Sequence, residues 1–117
     1  MAQTFTKNKL SGSTNGKPIK LTTTATTGDT IHTAVAGTSS WDEIWIYATN
    51  NDSVSRNLTL EWGTTTAADG NIRVAIPATS GLTLVIPGLL LQNGLVLTAF
   101  ASAANVVLIT GYAHNIV

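Results

Sequence analysis

Apolar and polar residues alternate with a period of two along most of this chain, and turn formers punctuate the runs. That period belongs to half-buried β-strands, whose successive side chains point to opposite faces. Residues 41–50 give the clearest case. Ile44, Ile46 and Ala48 fall on one face, and Glu43, Trp45, Tyr47 and Thr49 on the other. Similar strands are predicted over 30–35, 56–63, 71–76 and 82–86, the last with Leu82, Leu84 and Ile86 on one face. Residues 89–92, 95–101 and 105–112 read as three more. A Thr-rich extended stretch covers 17–27, with Ile19 and Leu21 on one face.

Turn chemistry separates these runs. Asn93-Gly94, between two apolar runs, is the strongest hairpin signal, because both residues accept the positive φ of a type I′ turn. Gly28-Asp29, Asp69-Gly70 and Pro87-Gly88 mark further turns. Pro77 and Pro87 lack an N–H donor and are expected to end their strands. No window carries a sustained helical stripe with caps. About eight or nine short strands at roughly ten-residue spacing point to a sandwich, jelly roll or small barrel. The expected fold is all-β: a β-sandwich of jelly-roll type with about eight antiparallel strands. Residues 1–16, polar and rich in turn formers, read as an extended N-terminal arm, and 17–117 as a single domain.

Composition narrows the function. The chain has 117 residues, 10% of them charged, with six cations balancing six anions. A soluble chain usually carries about a quarter charged residues. Twenty threonines take up much of the difference. The zero balance is uneven: Lys7, Lys9, Lys17 and Lys20 precede the first acid, Asp29, so residues 1–20 carry a formal +4 and the remainder −4. High apolar content without net charge excludes a disordered polyelectrolyte. The absence of cysteine excludes disulfides and thiolate metal sites. Without a cationic excess, nucleic acid is not an expected partner. No run is long and apolar enough for a membrane helix, and no secretory signal is expected from the first residues.

Chemistry is sparse. There is no nucleophile elbow and no zinc-binding His pair. His32 alternates with apolar neighbours and is expected to face solvent or an interface, and His114 lies close to the C-terminus. Residues 12–17 echo a phosphate-binding loop, but their glycines are too close together and Pro18 stands where a magnesium-holding hydroxyl is needed. No catalytic residue, metal or cofactor is expected. The aromatic strip Trp41, Trp45 and Tyr47 has three readings: core, an interface for a partner subunit, or a carbohydrate platform.

The run Ile86-Pro87-Gly88-Leu89-Leu90-Leu91-Gln92-Asn93-Gly94-Leu95-Val96-Leu97-Thr98-Ala99-Phe100-Ala101, followed by Asn105-Val106-Val107-Leu108-Ile109-Thr110-Gly111-Tyr112, resembles small β-rich auxiliary virion proteins of tailed bacteriophages. The resemblance covers roughly the C-terminal third and transfers no functional residue. It implies a structural protein of the virion, made in the host cytoplasm. The leading expectation is a capsid decoration or cement protein that binds and stabilises the phage head through arm and edge-strand contacts, with a neck, tail or fibre component as the alternative and a carbohydrate-binding module as the rival of another class. The expected partners are the major capsid protein, other virion proteins and copies of itself, a trimer first. Phe5, Lys7, Lys9 and Leu10 of the arm, with Trp41, Trp45 and Tyr47, form the expected interface. A surface that neighbours cover should be poor in long charged chains, which lose up to about 2 kcal/mol of rotamer entropy each when immobilised.

Overall fold

The computed structural model describes residues 3–117; Met1 and Ala2, the first two residues of the expected arm, lie outside the described residues. Nine strands form: β1 (Phe5–Lys9), β2 (Ile19–Lys20), β3 (Asp29–Thr33), β4 (Trp41–Asn50), β5 (Arg56–Trp62), β6 (Asn71–Ile76), β7 (Ser80–Leu91), β8 (Val96–Ala101) and β9 (Val107–Ile116). They build two antiparallel sheets. The larger runs β1-β9-β4-β7, with β2 also on β9, and the smaller runs β3-β8-β5-β6. The all-β expectation therefore holds, with nine strands where about eight were expected: β1 falls in the segment expected as an arm, and the runs expected as separate strands at 82–86 and 89–92 are one strand, β7.

The alternation in the sequence sorts side chains between the inside and the outside. Ile44, Ile46 and Ala48 of β4 meet Leu58 and Leu60 of β5, Leu97 and Ala99 of β8, Ile109 and Ala113 of β9 and Ile86 of β7 in one buried cluster. Fully burying each Leu or Ile contributes roughly 1.5–3 kcal/mol.

The inward face of β4 is polar at both ends. Asp42, at the start, is buried. Its Oδ2 accepts from His32 Nε2 at 2.7 Å and from the Val35 N–H at 3.2 Å, and its Oδ1 accepts from Asn115 Nδ2 at 2.9 Å. His32 belongs to the smaller sheet, so this contact closes the seam between the sheets. Its Nδ1 accepts from the Ser11 N–H at 3.0 Å, which leaves the ring proton on Nε2, toward Asp42. Asn50, at the other end and fully buried, donates to the carbonyls of Val54 and Ile76, both at 3.0 Å.

Several sequence expectations are corrected by this arrangement. His32 is buried rather than exposed, because Asp42 and Ser11 satisfy both ring nitrogens. Asn93 and Gly94 do take positive φ, 63° and 68°, but the turn joins β7 of one sheet to β8 of the other and makes no hairpin. Pro87-Gly88 is not a turn. It lies inside β7, where the register with β4 shifts between Ile44 and Trp45 and the extra residue is absorbed as a bulge. A second shift, between Ile46 and Tyr47, turns Ile86 inward and Leu84 outward. Residues 21–28 are loop rather than strand beyond β2. Within the segment expected as an arm, Phe5–Lys9 pairs along β9, and Leu10 is 1% exposed in the core. Its neighbours are tied to β3: the Gly12 N–H donates to the Ile31 carbonyl, and Ser11 Oγ accepts from the Thr33 N–H.

The 21–28 loop crosses from the larger sheet to the outer face of the smaller one, where Glu61 holds it. Glu61 is fully buried. Its carboxylate accepts from Thr98 Oγ1 at 2.6 Å, from the Gly28 N–H at 2.8 Å and from Thr26 Oγ1 at 2.9 Å. Burial works against the charge, but the bonds from Thr98, Gly28 and Thr26 outweigh it and hold the carboxyl below the usual carboxylate range. Asp29 is held low in the same way: burial opposes its charge, and bonds from Thr22 and Thr23 prevail.

Asp42→Ala strands the buried His32 N–H and the half-buried donors of Val35 and Asn115 and should cost about 1–3 kcal/mol, read as a lower urea midpoint at unchanged slope. A midpoint within error of the parent would remove Asp42 from the determinants of closure. Glu61 predicts the acid response. Its folded-state pKa lies below its unfolded value, so its stabilisation is complete above the unfolded value of about 4.3 and is lost as pH falls through the folded one. Glu61→Gln keeps acceptor and loop contacts but does not titrate. The stability gap between parent and variant should narrow on going from about pH 6 to about pH 3. Parallel stability curves would contradict the assignment.

Candidate functional site

The strict alternation of β4 turns Trp41, Glu43, Trp45, Tyr47 and Thr49 outward, each half-buried, while the inward row packs in the core. The aromatic strip is therefore the outer surface of the larger sheet and not its core. The partner strand β9 sets Ile116, His114, Tyr112, Thr110 and Leu108 opposite these five residues in turn.

Trp45 is the best-fixed member. Its Nε1 donates to Glu43 Oε1 at 2.8 Å. Its ring stacks on Tyr112 with centroids 6.2 Å apart and planes 19° apart. On the other side its six-membered ring lies against Gly88, where an added Cβ would come within 3.0 Å of Cζ2. Gly111 permits the close approach of β9, since a Cβ there would overlap the Trp45 carbonyl oxygen. Tyr112 in turn packs against His114 at 5.3 Å and lies under the Lys7 ammonium, 4.4 Å from the ring centre. His114 Nδ1 faces Glu43 Oε1 at 3.4 Å. Lys7, Tyr112, His114, Trp45 and Glu43 thus form one connected patch across β1, β9 and β4. An exposed cation–π contact contributes about 0.5–1 kcal/mol, so the patch is held mainly by packing.

Exposed apolar side chains border it. Leu84 pairs with Tyr47, and Leu90 pairs with Glu43. Phe5 lies opposite Ile116, which lies opposite Trp41. Phe5 is 62% exposed, Leu90 52% and Leu84 46%. Of the seven residues singled out in the sequence, six come to this face by register: Phe5, Lys7, Lys9, Trp41, Trp45 and Tyr47. Leu10 does not, being core. Sequence reasoning placed Glu43 on this face without giving it a role and missed Tyr112, His114 and Leu84. The alternation of β9 could have supplied Tyr112 and His114, but nothing in the sequence marks the bulge that turns Leu84 outward.

Ser11, His32 and Asp42 also meet in space. Their bonding is not that of a nucleophile and its base: the Ser11 backbone N–H, not its hydroxyl, reaches the imidazole, and Ser11 Oγ accepts from Thr33. Among the described residues, no group of three or more His, Cys, Asp or Glu side chains is placed to hold a metal ion. No helix among them is long and apolar enough to cross a membrane. No protein-family model, curated protein or solved structure matches the chain.

The stack is testable by a double-mutant cycle. Trp45→Leu and Tyr112→Leu, singly and together, should give a coupling energy of about 0.5–1.5 kcal/mol in urea unfolding. Strict additivity would mean that the two rings do not support each other.

Proposed function

We propose that the chain is a structural protein of a phage virion, a capsid decoration or cement protein, that docks through the outer face of its larger sheet. The observation that carries this reading is the aromatic-rich face: Trp41, Trp45, Tyr47 and Tyr112, with Glu43, His114 and Lys7 among them, bordered by exposed Phe5, Leu84 and Leu90. Trp and Tyr dominate interface hot spots, and a contiguous exposed apolar patch marks an interaction site. Trp45 is immobilised by Glu43, Tyr112 and Gly88 before any partner arrives, so little ordering entropy remains to oppose docking.

The connectivity supports a jelly roll. With the two-residue β2 set aside, the eight other strands pair first-eighth-third-sixth and second-seventh-fourth-fifth, all antiparallel. Two sheets wound in this way recur in viral capsid and lectin domains. The likeness of residues 86–101 and 105–112 to auxiliary virion proteins points the same way. The partners in this reading are the major capsid protein or another virion protein, and further copies of the chain, with a trimer at a local three-fold position. A neck, tail or fibre position would use the same face. A sugar platform on Trp41, Trp45 and Tyr47 is less well supported, because the Trp45 ring already lies between Tyr112 and Gly88 and its N–H is taken by Glu43.

A mass-spectrometric copy count in purified virions tests the reading. Several hundred copies indicate decoration, about a dozen indicate neck or tail, and none overturns the virion assignment. Leu84→Asp adds a charge to the half-exposed rim without touching the core. It should weaken particle binding by at least about tenfold while leaving the urea midpoint unchanged.

A further inference from the structure

The outer face of the smaller sheet carries a groove of about 400 Å³ whose lining includes Thr24, Asn57, Thr59, Arg73, Phe100 and Ser102. Strand register explains how these residues meet. Thr59 of β5 lies opposite Arg73 of β6 on one side and Phe100 of β8 on the other. Arg73 and Phe100 therefore flank Thr59 at about 10 Å from each other, two interstrand spacings. Thr24 belongs to the loop that Glu61 anchors through Thr26 and Gly28, so this wall of the groove is fixed.

Three features of the groove have no structural use within the chain. Arg73 is the only ionisable residue among the lining side chains, and among the described residues it has no salt-bridge partner. Thr59 is 6% exposed, lines the groove, and makes no side-chain hydrogen bond with the rest of the described chain. Its hydroxyl is not one of the buried polar atoms left without a partner, so a molecule in the groove can reach it. Phe100, on the outer face and half-buried, presents an aromatic surface to the same space.

We propose that this groove binds a carboxylated pyranose, the terminal uronic-acid residue of a glycan. The planar guanidinium of Arg73 matches a carboxylate in bidentate geometry. Its single charge suits a carboxylate better than a phosphate monoester, which would bring close to two negative charges to one cation. Thr59, Asn57 and Thr24 offer hydroxyl and amide groups for ring hydroxyls, while Ser102 Oγ is already engaged by the Asn57 N–H. Phe100 supplies an apolar face for the C–H side of the ring. The volume falls in the range of small-ligand sites, at roughly 300–1,000 Å³. The site lies on the sheet opposite the docking face and does not rest on the virion reading, so either can fail alone.

The test is an NMR titration of the intact chain with methyl β-D-glucuronide, with methyl β-D-glucoside and acetate as controls. The glucuronide should give saturable shifts at Thr59, Arg73 and Phe100 with a Kd near about 1 mM, and each control should bind at least about tenfold more weakly. Arg73→Gln, an exposed change, should weaken the glucuronide by about tenfold or more, and the isosteric Thr59→Val by several-fold, with the folded spectrum retained. Equal binding of acetate would make the groove a generic anion site and overturn the proposal. So would the absence of saturable shifts at these residues, or unchanged affinity in Arg73→Gln.

Discussion

A carboxylate buried at the seam between two sheets constrains this fold more than any apolar contact does. Asp42 lies on the inward row of β4, level with Ile44 and Ile46, yet it faces a histidine of the opposite sheet. An apolar pair slides and repacks at little cost, whereas a buried carboxylate loses several kcal/mol if its donors move away. The relative position of the sheets is therefore set where His32 and Val35 reach Asp42, while Asn115 on the neighbouring β9 holds its other oxygen. Asn50 repeats the device at the far end of the same strand by holding the carbonyl of Ile76. Between these two polar ends the apolar middle of β4 needs only the right volume. Ile44, Ile46 and Ala48 supply it without any aromatic residue.

With both sheets held this way, their outer faces acquire different roles. The smaller sheet is partly roofed, because Glu61 on its outer face draws the 21–28 loop across it. Among the described residues the larger sheet has no such cover, and its outer face keeps its large side chains half-exposed. Of the aromatics, Trp62 packs against the core and Phe100 lies on the outer face of the smaller sheet. Trp41, Trp45, Tyr47 and Tyr112 all stand on the uncovered face, where the core makes no demand for them. Under the proposed docking role, these are the residues that a partner would contact.

The sequence made the strands legible wherever one face is core and the other is not. The β4 bounds were readable to the residue, since ten positions alternate without a break. Legibility failed where the backbone departs from the two-residue period. β7 runs through Pro87 and bulges around it, and a bulge leaves no mark in the apolar pattern except a phase change. Asn93-Gly94 was read correctly as a turn and incorrectly as a hairpin, because local φ preferences say nothing about which sheet the next strand joins. His32 looked exposed because its partners, Ser11 and Asp42, are brought to it by tertiary structure. For the candidate site, alternation exposed the Trp strip. The cross-strand neighbours that immobilise it depend on register, which no single strand encodes.

Charge placement links these observations. Lys7, Lys9 and Lys20 lie along β1 and β2, the strands that cover β9, and no Asp, Glu, Lys or Arg follows Arg73 in the chain. β7, at the opposite edge of the larger sheet, is therefore uncharged throughout. An edge strand without charge invites unwanted pairing unless its backbone is made irregular. The register shifts in β7 and Pro87 supply that irregularity. They guard the backbone edge of β7 while leaving Leu84 and Leu90 free on its outer surface. The same bulges that obscured β7 in the sequence thus let an apolar rim exist without a sticky strand behind it. Under the proposed docking role, contacts at that rim would be made by side chains rather than by strand addition.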